Sequence, residues 1–229
     1  MSNLTASLKT TPVRIPISGR LWLNADVTTP PGAKGLVLFA HGSGSSRHSP
    51  RNRYVADELN FLQMSTVLAD LLTDEEENAD DRTGALRFDI SLLTDRLVHM
   101  LDWVQSNDLG RALPIGIFGA STGAAAALDA AALRPEIVRA VVSRGGRPDL
   151  ATRLGQVKAP TLLIVGGNDT TVVDMNSRAS LLLRCTKEVE IIPGATHLFE
   201  EPGTLEAVAS AAGAWFQRYL TDTHPSSLD

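Results

Sequence analysis

Three residues in this chain have the types and surroundings needed for nucleophilic chemistry at a carbonyl carbon. Ser121 stands in Gly119-Ala120-Ser121-Thr122-Gly123, a G-x-S-x-G pattern where an apolar run ending at Phe118 meets an alanine-rich stretch, Ala124 to Leu128. A serine there is either a helix cap or a nucleophile raised on a strand-to-helix turn. A hydroxyl is a poor nucleophile until a base takes its proton. Of the five histidines, His197 in "IIPGATHLFEEP" follows the final apolar run, where a loop can hang over the serine. His41 opens a glycine-rich turn, His48 lies in an arginine-rich loop, His99 on a helix and His224 in the tail. The carboxylate that orients the base is expected at Asp169 in "LLIVGGNDTTV", directly after a buried run. Capping the next helix is the other use open to Asp169, and Asp149 is the competing acid.

Acyl transfer also needs donors for the developing oxyanion. The backbone N–H of Thr122 is one expected donor. The backbone N–H of Ser43 in "FAHGSGSS" is the other, with Gly42 and Gly44 letting the chain turn closely and His41 bracing the loop. Arg144 and Arg147 in "SRGGRPD" are candidates to bind a substrate carboxylate. Salt bridges or solvent are their bland alternatives, and the same holds for Arg47, Arg51 and Arg53. The chemistry requires no metal and no organic cofactor.

Such residues need a frame to bring them together. Apolar runs at 35–42, 65–72, 114–121, 137–145, 159–167 and 187–194 predict central strands of a mostly parallel sheet. Apolar residues at helical spacing predict helices over Asp89–Gln105, Val172–Leu183 and Leu205–Leu220, and Asn52 onward is expected to begin another. Alternating polarity over Val13–Val27 predicts an antiparallel hairpin. The fold class is α/β: a twisted sheet with helices on both faces, and ligands beyond the C-terminal strand ends. Between Gly145 and Pro160 there is room for one short helix, so no large lid is expected. One domain spans 1–229, with its core at about 13–220 and a polar tail at 221–229.

Composition narrows the partners. Net charge is −5, and no basic stripe suggests nucleic acid or an anionic membrane. The acidic run Asp74–Asp81 reads as a solvated loop. Cys185 is the single cysteine, expected on a helix and buried or half-buried, outside any metal-ligand spacing. The N-terminus lacks the apolar core of a signal peptide, and no run approaches a membrane span, so a cytoplasmic protein is expected. The expected partner is a small-molecule ester, thioester or lactone.

The ordered set "HGSGSS", "GASTG", "GGND" and "GATHLF" resembles the α/β-hydrolase superfamily, and most of all its small dienelactone hydrolase-like branch, over roughly residues 13 to 220. The chain order Ser121, Asp169, His197 is that of the superfamily's triad. The resemblance implies Ser121 as nucleophile, Asp169 as acid, His197 as base, and the Ser43 and Thr122 amides as oxyanion hole. Dienelactone hydrolases carry Cys in the nucleophile turn; Ser121 in its place favours general ester or thioester cleavage. Acyl transfer and perhydrolysis use the same triad. A non-catalytic binding or regulatory protein on the same fold is the alternative from another class. A nucleotide-binding domain is a third, but "HGSGSS" matches neither G-x-G-x-x-G nor a phosphate loop.

Overall fold

The computed structural model describes residues 8–19 and 21–221. Its N-terminal strands β1 (Thr10–Ser18) and β2 (Leu21–Thr28) form the expected antiparallel hairpin. The runs rich in Val, Ile and Leu form β3 (Gly35–Ala40), β4 (Met64–Ala69), β5 (Ile115–Ala120), β6 (Val138–Arg144), β7 (Thr161–Gly166) and β8 (Lys187–Ile192). But β8 is an edge strand with all but Ile192 exposed, not a central one, because its Lys187, Glu188 and Glu190 suit an open face. The eight strands lie in the order β1-β2-β4-β3-β5-β6-β7-β8, antiparallel from β1 to β4 and parallel from there on. β5 is thus central, and its C-terminal end opens between the loops that follow β3 and β6.

Two apolar layers close on the sheet. On one face, Val55 and Leu59 of α1 (Pro50–Phe61) and Val208, Ala212, Trp215 and Phe216 of α6 (Thr204–Leu220) pack on Phe39, Phe118, Val142 and Ile164. On the other, Leu93, Leu97, Leu101 and Val104 of α3 (Ile90–Ser106) join the alanines of α4 (Thr122–Leu133) and Ala179 of α5 (Thr170–Leu182). Side-chain caps start two of these helices: Ser49 Oγ accepts from the Asn52 N–H (3.3 Å) and Asp89 Oδ1 from the Leu92 N–H (3.0 Å). Among the described residues no helix is long and apolar enough to cross a membrane.

The acidic run is not a loop. Asp74–Thr83 forms a helix, α2. Thr73 Oγ1 accepts from the Glu76 N–H (3.2 Å) while Glu76 Oε2 accepts from the Thr73 N–H (2.8 Å), a reciprocal capping box. Four acids in the first turn favour the positive end of the helix dipole, and Gly84 at φ 63° ends the helix in the left-handed conformation. Cys185 is half-buried but lies past the end of α5, because the chain is already extended at Leu183. Between Gly145 and Pro160 stand two single 3-10 turns, Pro148–Leu150 and Leu154–Gln156, and no lid. Thr221 is the last described residue, so the rest of the tail, His224 included, lies outside the described residues.

Candidate active site

Ser121 joins β5 to α4 with φ 49° and ψ −121°, a strained backbone for a residue with a side chain. It occupies the cap position of α4, yet its hydroxyl makes no capping hydrogen bond. The turn is pinned from the next strand: the Ser121 N–H donates to Arg144 O (3.2 Å) and Ser121 O accepts from the Arg147 N–H (3.1 Å). Three glycines permit the approach of neighbouring chain. A methyl group on Gly119 would stand 2.6 Å from Ala124 Cα, one on Gly123 2.3 Å from His41 O, and one on Gly42 2.9 Å from Ser121 Cβ.

Asp169 also sits at a helix cap position, before α5, without capping it. Its Oδ2 lies 2.7 Å from His197 Nδ1. A carboxylate can only accept, so Nδ1 carries the proton and Nε2 is left as the free base nitrogen. Asp149, the competing acid, is taken by Arg147 through two bonds of 2.9 and 2.8 Å. The His197 loop is anchored by residues with no expected role, Asn168 and Glu201. The Asn168 N–H donates to Ala195 O and its side-chain amide to Gly194 O, both at 2.9 Å, and the Thr196 N–H donates to Glu201 Oε2 at 3.0 Å. The "ND" pair after β7 therefore splits its work: Asn168 holds the loop and Asp169 its histidine. A methyl on Gly145 would meet His197 O at 3.1 Å and His197 Cε1 at 3.6 Å. The imidazole thus rests against the same end of β6 that pins the Ser121 turn.

The loop after β3 supplies a different donor pattern from the one expected. The Ser43 N–H is not free but donates to Thr122 Oγ1 at 2.9 Å. The Thr122 amide is at the first position of α4, where helix N–H groups have no intrahelical acceptor. His41 braces the loop: its Nε2 accepts from the Leu71 N–H (3.1 Å), so Nδ1–H donates to Gly42 O (2.9 Å). Burial holds the His41 pKa below its ordinary 6.5, against the raising effects of its bond to Gly42 and the charge of Asp70. A cavity of about 160 Å³ behind this loop is lined by residues such as Asp70, Glu77 and Arg87, but not by Ser121, Asp169 or His197.

The five candidate arginines separate sharply. Arg147 is closed onto Asp149, Arg47 onto Asp70, and Arg53 onto Asp26 (2.8 Å). Arg51 touches the exposed Glu200 at 3.2 Å. Arg144 does not stand at an exposed rim. It is paired in register with Ala120 and Ile164 and shares the sheet face of Val142, so it sinks toward α1 and α6 with 8% of its surface exposed. Its Nη1 has no hydrogen-bond partner among the described residues. Desolvation, and then the charge of Arg51, lower its pKa to about 10. No group of three or more His, Cys, Asp or Glu that could hold a metal occurs among the described residues.

Comparison with known proteins agrees with this frame. A family model described as "Dienelactone hydrolase family" matches residues 53–221. A solved dienelactone hydrolase from Anabaena variabilis is 56% identical, with a TM-score of 0.91 over 93% of this chain and 99% of that one. Two more distant structures share the fold. XC6422 from Xanthomonas campestris, described as an α/β serine hydrolase without lid, is 20% identical (TM-score 0.73; 94% and 97% covered). Est1E from Butyrivibrio proteoclasticus is 16% identical (TM-score 0.75; 90% and 98% covered). A curated relative from Mycobacterium tuberculosis named "Putative phosphoribosyl transferase" is 53% identical over 93% of this chain, which spans only 46% of that protein's length. With its mostly parallel sheet, uncovered site and matching family model, the chain belongs to the dienelactone hydrolase family of the α/β-hydrolase superfamily, a family of hydrolases.

Proposed function

We propose that this hydrolase cleaves a small carboxylic ester, thioester or lactone through an acyl-enzyme formed on Ser121. The observation that carries the reading is a pair of side chains at helix cap positions that do not cap. The Ser121 hydroxyl is held idle on a strained turn, and the Asp169 carboxylate is committed to His197. Each forgoes a bond worth about 1 kcal/mol to a helix, which is unexpected unless the side chain serves something else.

In the proposed reaction His197 Nε2 takes the Ser121 Oγ proton as the oxygen attacks the carbonyl carbon. Asp169 stabilises the imidazolium through Nδ1–H. His197 then protonates the leaving alcohol or thiol, and water repeats the sequence on the acyl-enzyme. The absence of a lid between Gly145 and Pro160 favours small or exposed acyl groups. Arg144, a buried cation without a carboxylate partner next to the nucleophile strand, favours substrates that bring an anionic group. Phosphoribosyl transfer belongs to the name of relatives of whose length this chain spans 46%.

Ser121→Ala tests the reading with p-nitrophenyl acetate and with a fluorophosphonate probe. Turnover and labelling should both vanish while the melting temperature stays unchanged. Retained turnover, or a label mapped to another residue, refutes it.

A further inference from the structure

We infer that the second donor to the oxyanion is the Thr122 side-chain hydroxyl, with the Ser43 amide acting behind it; this rests on the serine-hydrolase reading above. The Ser43 N–H is spent on Thr122 Oγ1 at 2.9 Å. By accepting that bond, the hydroxyl must turn its own hydrogen away from Ser43. No described residue accepts that hydrogen. Thr122 is 3% exposed, so bulk water is largely shut out as well. An unspent O–H donor therefore sits one residue from the nucleophile, beside the free amide of the same residue.

The arrangement has little slack. Gly123 lets His41 O approach to where a methyl would be 2.3 Å away, and Gly42 does the same against Ser121 Cβ at 2.9 Å. The His41 ring ties Gly42 to Leu71. The Ser43 amide cannot swing clear without moving that whole braced loop. Freeing it from the other side requires a rotamer change in a side chain buried against its neighbours at the start of a helix. A hydroxyl that accepts a hydrogen bond is also polarised into a stronger donor.

The balance of the step is that of acyl transfer. The bond from Ser121 Oγ to the carbonyl carbon forms, the Oγ proton goes to His197 Nε2, and the carbonyl π pair moves onto oxygen. Thr122 donates hydrogen bonds from N–H and Oγ–H without giving up either proton. Ser43 touches no reacting atom and is a positioning residue.

The test compares Thr122→Val, Thr122→Ala and Thr122→Ser by steady-state kinetics on p-nitrophenyl acetate, with melting temperatures. The wild-type protein is first labelled with a fluorophosphonate and the adduct mapped. Removing the hydroxyl should lower kcat by about 100-fold, the usual loss for one oxyanion donor, with KM within about threefold. Thr122→Ser should keep most of the wild-type rate. If the valine side chain disturbs the packing, as a lowered melting temperature would reveal, Thr122→Ala supplies the readout. A valine or alanine variant as fast as wild type, or faster, overturns the inference: the hydroxyl would be a plug and the released Ser43 amide the donor. A well-folded serine variant as slow as valine overturns it too, since the methyl would then be what matters. A wild-type adduct absent from Ser121 would instead refute the serine-hydrolase reading itself.

Discussion

Replacing Asp169 with Asn isolates the charge of the acid from its shape. The wild-type contact is 2.7 Å between Oδ2 and Nδ1, so the carboxylate and the imidazolium formed during attack are centred roughly 4 Å apart. At an effective dielectric of about 20 that attraction is about 4 kcal/mol, or nearly three powers of ten in rate. The side chains of His197 and Asp169 retain 39% and 18% exposure, so solvent screens part of it. The expected loss in kcat for Asp169→Asn is therefore about 100- to 1000-fold, with KM little changed because the attraction is gained as the imidazole takes up the serine proton during attack. Asp169 does not cap α5, so the cost in stability should be confined to its weakened bond with His197, about 1 kcal/mol. Asp149→Asn is the matched control: it loses only the exposed pair with Arg147 and should keep activity within about threefold. The assay is kcat across pH on p-nitrophenyl acetate, with urea unfolding for stability. An active Asp169→Asn protein beside an inactive Asp149→Asn one would refute the assignment of the acid.

Two further outcomes follow from buried cations and bases. His41 is buried with a lowered pKa, so below pH 6.5 the unfolded chain takes up a proton that the folded protein refuses; stability is full above 6.5 and is lost as pH falls, and a melting curve without that acid slope in His41→Gln, against its presence in wild type, would check it. Arg144, its pKa drawn down to about 10 by burial, keeps its charge at a cost in stability, so Arg144→Met should be as stable as wild type or more so in urea. The same variant should lose roughly 10- to 100-fold in kcat/KM on a carboxylate-bearing acyl ester relative to a neutral one; a destabilised variant with unchanged selectivity would remove Arg144 from substrate binding.

What could be read from the sequence was set by how local each signal is. β3 to β7 announce themselves because a strand buried on both faces is a short apolar run, and the ends of β5 and β7 deliver Ser121 and Asp169; His197 follows the mostly exposed edge strand β8. α2 stayed hidden because eight largely acidic residues look solvated, although Thr73 and Glu76 already held the spacing of a capping box. The arginines divide for a reason the sequence contained in part. Arg147 stands two residues before Asp149 on one turn, and Arg144 shares the parity of Val142 along β6, which sends it to a buried face. The Ser43–Thr122 bond had no such local trace. It joins residues 79 apart and depends on one side-chain rotamer and on two glycines that set how closely two loops approach. Local patterns therefore located the strained turn and the ends that face it. Which hydrogen-bond donor remains unspent there is a property of long-range packing, and it is this property that bears on how an oxyanion would be held.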